Sequence, residues 1–208
     1  MKAYAFALAA PVALVAAGFA LAPAAAAPQI GKPAPNFRAL DVNGRVVSLS
    51  DYRGKTVVVE WNNPECPFVK KHYNSGNMQK TQAAAKKDGV VWLSVNSSAP
   101  GKQGHMDNAA LKSFLSAQKA QPTAYLLDPN GVVGAGYGAK TTPHMFIIDR
   151  RGNLAFMGGI DDKPTPNPAD IGGARNHVLA ALGELKAGKA VSVPMARPYG
   201  CSVKYKDS

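Results

Sequence analysis

Two residues of this 208-residue chain are suited to covalent redox chemistry, Cys66 and Cys201, and it has no other cysteine. The nucleophile in thiol chemistry is the thiolate, so the surroundings of each sulfur decide its reactivity. Cys66 stands in Asn62-Asn63-Pro64-Glu65-Cys66-Pro67, between a β-branched run and a proline suited to the first turn of a helix. A sulfur at a helix start faces unpaired backbone N–H groups and the positive end of the helix dipole, and both favour thiolate over thiol. Lys70 and Lys71 follow closely enough to add to the effect, while Glu65 opposes it. Flanked by Pro64 and Pro67 in a polar loop, Cys66 is expected to be ionised and reachable; the bland alternative is an inert buried cysteine. Cys201 supplies a second thiol. It can resolve a mixed disulfide or sulfenic acid formed at Cys66, or it can pin the tail in a permanent disulfide, and these two readings stand side by side.

Metal chemistry is the competing class. Cys66, Cys201, His72, His105-Met106, His144-Met145 and Met195 are soft or borderline ligands suited to copper, as a Sco-like chaperone would use, with His144 the foremost extra ligand. Against it, the sequence holds no Cys-x-x-x-Cys spacing. A redox-inert binding module is a third class. No phosphate-binding glycine loop, zinc-ligand cluster or serine triad stands out, so no cofactor and no resident metal are expected. Trp61 and Asn62 are expected to shape the pocket without reacting. Asp161-Asp162 reads as a solvated loop pair without a catalytic role.

The elements that would position the thiol follow from periodicity and punctuation. Asn43-Gly44 between residues 37–40 and 46–49 predicts a hairpin. Residues 56–61 form a β-branched run of the kind that makes a central strand covered on both faces. A helix begins at Pro67, is interrupted near Asn74-Ser75-Gly76 and resumes to about Lys87. Residues 90–95 predict a second buried strand, 97–106 a polar loop, 108–119 an amphipathic helix, and 124–127 a short strand. Residues 128–138 form a short helix or irregular turn. Strands at 145–149 and 154–159 are joined by Arg150-Arg151-Gly152-Asn153. Ile171, Val178, Leu179, Leu182 and Leu185 fall on one helical face, and Gly188 can end that helix. The order predicts an α/β sandwich around a mixed sheet, with Cys66 at the carboxyl end of a central strand, where open sheets place their sites.

Composition bounds the rest. The formal net charge is +11, from 24 Lys and Arg against 13 Asp and Glu. The lysines, among them Lys70, Lys71, Lys80, Lys86, Lys87, Lys112 and Lys119, are scattered and not interleaved with aromatics, so they predict a solvated basic surface and no nucleic-acid partner. Lys2, an alanine-rich apolar stretch and small residues at 24–27 predict a signal peptide over residues 1–26 and a periplasmic or secreted location. No later run is apolar enough to span a membrane, so no stable span remains after cleavage. The chain then divides into an extended arm at 27–36, one domain at 37–188, and a tail at 189–208 that carries Cys201.

Three stretches in order carry a resemblance: Ile30-Gly31-Lys32-Pro33-Ala34-Pro35-Asn36-Phe37, Leu49-Ser50-Asp51-Tyr52-Arg53-Gly54-Lys55, and the strand ending at Cys66-Pro67-Phe68-Val69. They resemble the redoxin (alkyl hydroperoxide reductase/thiol-specific antioxidant) family of the thioredoxin-like superfamily. The Cys66-Pro67-Phe68-Val69 stretch, Thr142-Pro143-His144-Met145-Phe146 and Pro198-Tyr199-Gly200-Cys201-Ser202-Val203-Lys204 resemble its peroxiredoxin-like branch more narrowly. The resemblance implies a thioredoxin-like fold with an N-terminal hairpin and a thiol–disulfide oxidoreductase or weak thiol peroxidase. It makes Cys66 the attacking thiol, Cys201 the resolving one, and Thr142-Pro143 a cis-proline clamp on an extended substrate. Pro67 and Asn63 complete the implied substrate site. Its partner would be an exported thiol- or disulfide-bearing protein or a small hydroperoxide. Val69 stands where thioredoxins carry a second cysteine, and Asn63 where peroxiredoxins carry Thr or Ser, so disulfide exchange fits better than efficient peroxide reduction.

Overall fold

The computed structural model describes residues 27–206; the signal-peptide expectation, and with it the cleavage site, lies outside the described residues. In chain order the elements are β1 (Arg38–Asp41), β2 (Val46–Ser48), β3 (Val57–Trp61), α1 (Pro67–Asn74), α2 (Asn77–Lys87), β4 (Val91–Asn96), α3 (Asn108–Ala117), β5 (Ala124–Leu127), α4 (Val132–Tyr137), β6 (Thr141–Thr142), β7 (His144–Ile148), β8 (Leu154–Gly158), α5 (His177–Lys186) and β9 (Cys201–Ser202). Seven strands form one sheet in the order β2-β1-β5-β4-β3-β7-β8, while β6 and β9 form a separate two-stranded sheet. The central strands β3, β4 and β5 run parallel, and β7 pairs antiparallel with β3 on the other side. This is the mixed sheet that the order of strands and helices predicts.

Strand β3 is the axis of the molecule. Every one of its residues is buried, as its β-branched run requires. Val57, Val59 and Trp61 face a core shared with Leu93, Val95, Leu126, Tyr137 and Phe146. Val58 faces the opposite core, with Val69, Tyr73, Met78, Trp92, Ile147 and Phe156, where Cys66 also lies. The N-terminal hairpin closes because the Asp41 carboxylate accepts from the backbone N–H groups of Asn43 and Arg45, and Gly44 takes a left-handed φ of 78°. The break between α1 and α2 has an equally local cause. The Ser75 hydroxyl donates back to Lys71 O, and Gly76 adopts a φ of 75° that starts the second helix in a new direction.

The extended arm at 27–36 is fastened along the β7–β8 hairpin: Gly31 N donates to Leu154 O, Leu154 N to Lys32 O and Ala34 N to Gly152 O. One expectation changes. Ile171 does not share a helix with Val178. It lies in a separate 3-10 turn, and α5 starts at His177 because the Asn176 side chain caps it by accepting from Leu179 N. Leu179 is consequently on the outer side and 39% exposed. The tail contains β9 and is fastened by backbone bonds from Ala196 N to Met157 O and from Val203 N to Lys140 O.

Candidate redox site

Cys66 is the N-cap of α1, and Pro67 occupies the first helical turn. Its carbonyl accepts from Lys70 N at 2.9 Å, the first bond of the helix, and its own N–H is held by Asn63 O at 3.0 Å. The sulfur thus sits where β3 hands over to α1, as the sequence predicts. It is not open to solvent, however. Cys66 is fully buried among Val69, Met145, Tyr199 and other apolar side chains, so the expected reachable sulfur is covered in this state. What covers it is the C-terminal tail.

Strand β9 pairs antiparallel with β6, placing Cys201 opposite Thr142 and Ser202 opposite Thr141. The Thr142–Pro143 peptide is cis. Thr142 O lies 3.0 Å from Cys66 Sγ, and Cys201 Sγ lies 2.8 Å from it on the other side. Both cysteines are free thiols. Cys66 has one thiol hydrogen, so while it points to Thr142 the Cys201 thiol is the group placed to donate between the sulfurs. Burial pushes the Cys201 thiol up to about 12, helped by its hydrogen bond to Cys66 and by the charge Cys66 carries when ionised, with Lys204 opposing. Cys201 is therefore held as a thiol near neutral pH.

Gly200 permits this approach. A Cβ there would lie 2.1 Å from Thr142 O, and its φ of 131° suits only glycine. Similar close approach occurs beneath the tail, where a Cβ on Gly158 would meet Ala196 O at 2.3 Å.

Asn63 is buried and fully committed. Its Oδ1 accepts from Glu65 N at 2.9 Å, and its Nδ2 donates to Gln103 O at 3.2 Å. Gly104 packs directly on its amide, and Gly104 N donates to the Glu65 carboxylate at 2.8 Å. Its side chain clamps the 97–106 loop onto the Cys66 loop, an arrangement different from a free amide turned toward substrate. Trp61 Nε1 donates to Ser97 Oγ at 3.0 Å, and Asn62 Oδ1 accepts from Tyr125 Oη at 2.9 Å, so both hold the strand end in place.

Two buried polar clusters were not visible as such in the sequence. Glu60 on β3 has no exposed surface and accepts from Asn62 Nδ2, Tyr73 Oη, Trp92 Nε1 and Ser94 Oγ. Burial raises its carboxyl above the ordinary range, against the downward pull of those donors. The second cluster overturns two expectations. Lys71 and Asp161, read as solvated, are 1% and 4% exposed. Lys71 Nζ lies 3.7 Å from Asp161 Oδ2 and donates to Lys163 O at 2.8 Å. Tyr199 Oη donates to Asp161 Oδ1 at 2.5 Å and lies 3.2 Å from His72 Nε2. Burial pushes the His72 imidazole down to about 4, with the Lys71 charge acting the same way and Asp161 opposing. Charged groups bury only when partnered, and each of these found its partner on another element.

Beyond the two cysteines, the histidines among the candidate copper ligands are engaged elsewhere. His72 Nδ1 is engaged by Asn77, His105 Nδ1 by Ser98 O, and His144 Nδ1 accepts from Lys140 N. His144 is buried, 5% exposed, against Phe146. Among the described residues no group of three or more His, Cys, Asp or Glu could hold a metal. Nor is any helix among them long and apolar enough to cross a membrane.

Similarity to known proteins agrees with this geometry. Thiol-disulfide oxidoreductase ResA of Bacillus thuringiensis is 27% identical over 127 residues, covering 61% of this chain and 67% of the relative. An uncharacterised conserved protein of Geobacillus kaustophilus superposes with a TM-score of 0.72 at 28% identity, over 86% of this chain and 94% of that one. A Chlorobium tepidum protein described as the thiol:disulfide interchange protein DsbE superposes with a TM-score of 0.52 at 27% identity, over 63% and 85% of the two chains. Residues 30–157, which run from the fastened arm through the thiol, the cis-proline and most of β8, match the AhpC/TSA family, and the chain belongs to that family.

Proposed function

We propose that this chain is a thiol–disulfide oxidoreductase in which Cys66 is the attacking thiolate and Cys201 the resolving thiol. The observation that carries this reading is the meeting of two sulfurs 135 residues apart in sequence, 2.8 Å from one another at the N-terminus of a helix. The similarity to ResA supports the same class of chemistry.

The reaction follows from thiol–disulfide exchange. The Cys66 thiolate attacks one sulfur of a partner disulfide, a new S–S bond forms, and the partner's other sulfur leaves as a thiolate. Cys201 then attacks the Cys66 sulfur, which releases the second partner thiol and leaves a Cys66–Cys201 disulfide. The partner gains two electrons and the pair loses two. Run in reverse, the same steps oxidise a partner dithiol.

The order of events is built into Cys201. Two of the causes that hold its proton are its hydrogen bond to Cys66 and the Cys66 charge. Both vanish when Cys66 enters a mixed disulfide, so Cys201 becomes easier to ionise at the step that needs it. The edge of β6 beside cis-Pro143, with Thr142, supports an extended partner backbone, the place that β9 itself takes in this state. Asn63 and Pro67 serve by shaping the Cys66 loop. The partner is a thiol- or disulfide-bearing protein, and the location is periplasmic or secreted.

In Cys201→Ser protein, a mixed disulfide between Cys66 and a partner should accumulate, while in wild type it should not. Equal accumulation in both proteins would remove Cys201 from the resolving role.

A further inference from the structure

Cys66 has no exposed surface, so on the reading above an outside reactant meets its sulfur only after the tail strand moves. The strand itself is slight: β9 pairs with β6 through two residues. Its nearest side-chain anchor toward the N-terminus is Tyr199, two positions before Cys201 and 8% exposed. The Tyr199 ring packs on Phe68 at a centroid distance of 5.9 Å, in the first turn of the helix that Cys66 caps.

Asp161 holds the tyrosine hydroxyl. Its Oδ1 accepts from Tyr199 Oη at 2.5 Å and from Lys163 N at 3.0 Å. Its Oδ2 is buried without a hydrogen-bond partner, 3.7 Å from Lys71 Nζ and 3.9 Å from His72 Nε2. Lys71 and His72 belong to α1, so the helix that presents the sulfur also supplies the groups around the carboxylate. A buried carboxylate with one oxygen lacking a donor is costly, so the bond that Tyr199 gives to the other oxygen weighs heavily in holding it.

We propose that Asp161 is a positioning residue that governs access to Cys66: through the Tyr199 hydroxyl it holds the tail strand across the sulfur, and partners reach the thiol as often as that contact releases. This rests on the assignment of Cys66 as the attacking thiol and adds the step that precedes attack. Tyr199→Phe keeps the ring and removes the donor, leaving the carboxylate short of a hydrogen bond in the closed state only. The open fraction should rise about tenfold, a typical consequence of one unmet buried partner.

The test is the rate at which iodoacetamide modifies Cys66 in the reduced protein at neutral pH, read by peptide mass. Tyr199→Phe, which removes the donor, should label about tenfold faster than wild type, and Asp161→Asn, which replaces the charged acceptor with a weaker neutral one, should also label faster. Val42→Ala serves as the comparison, because it weakens a separate core cluster around Leu111 and Tyr125. It should lower thermal stability without changing the Cys66 rate. Should Asp161→Asn fail to fold, Tyr199→Phe alone decides. Equal labelling of Tyr199→Phe and wild type would overturn the proposal, as would equal acceleration in Val42→Ala. The underlying assignment is tested separately: oxidised wild type that forms no Cys66–Cys201 disulfide removes the exchange mechanism, whatever the labelling rates are.

Discussion

Gly200→Ala probes the contact between tail and thiol more directly than any charge change. A methyl group at this position would sit 2.1 Å from Thr142 O and 2.8 Å from Thr142 C, both backbone atoms that cannot swing aside. The φ of 131° adds strain for any residue with a Cβ, on the order of 1–3 kcal/mol. In the reduced protein the tail escapes this strain by stepping back from β6. In the oxidised protein it cannot, because the disulfide holds Cys201 against Cys66. The strain therefore falls on the disulfide form, and its stability relative to the dithiol should drop by about 1–3 kcal/mol, or roughly 5- to 150-fold in the exchange constant. Equilibration with reduced and oxidised glutathione, followed by acid quench and mass analysis, gives that constant. Gly44→Ala is the control, since Gly44 also has a positive φ, 78°, but open space around its Cβ, and lies in the hairpin turn. It should lose stability and keep the exchange constant. An unchanged constant in Gly200→Ala would mean that the approach of Gly200 to Thr142 does not set the geometry of the sulfur pair.

Further outcomes follow from the buried polar groups. Glu60→Gln places an N–H₂ among four side chains that all donate, so the urea midpoint should fall by the equivalent of about 1–3 kcal/mol; an unchanged midpoint would mean the cluster is not satisfied as described. Burial, with Lys140 acting the same way, lowers the His144 imidazole from 6.5 to about 4. A lowered folded value gives stability that is present above pH 6.5 and lost as pH falls through about 4, about 3 kcal/mol in all for this group. His144→Asn should flatten the stability profile in that window, measured by chemical denaturation at a series of pH values; a profile as steep as wild type would contradict the burial argument.

Much of the architecture was legible because it rests on local rules. The β-branched run before Cys66, the proline after it, Asn43-Gly44 and the Ser75-Gly76 break each act within a few residues, and each forms the expected element. The site was legible only in outline. Cys66 at the helix start follows from neighbours in sequence, but its burial comes from a tail more than a hundred residues away. Strand β9 is two residues long, too short for any periodicity to reveal. Lys71 and Asp161 look like ordinary surface charges because their partners are distant: the 3.7 Å pair joins α1 to the segment after β8, and Tyr199 arrives from the tail. Glu60 interrupts an apolar run, and nothing adjacent indicates that Tyr73, Trp92 and Ser94 will supply donors. The one cue in the sequence is the two-residue spacing between Tyr199 and Cys201, which links the fate of the tyrosine to that of the sulfur.

The exchange mechanism depends on Cys66 and Cys201 forming a reversible pair. Purified protein oxidised with glutathione disulfide and digested without reduction should yield a peptide joining Cys66 to Cys201, which dithiothreitol converts back to two free thiols while the fold is retained. Recovery of both thiols free, or joined only between separate molecules, would contradict it.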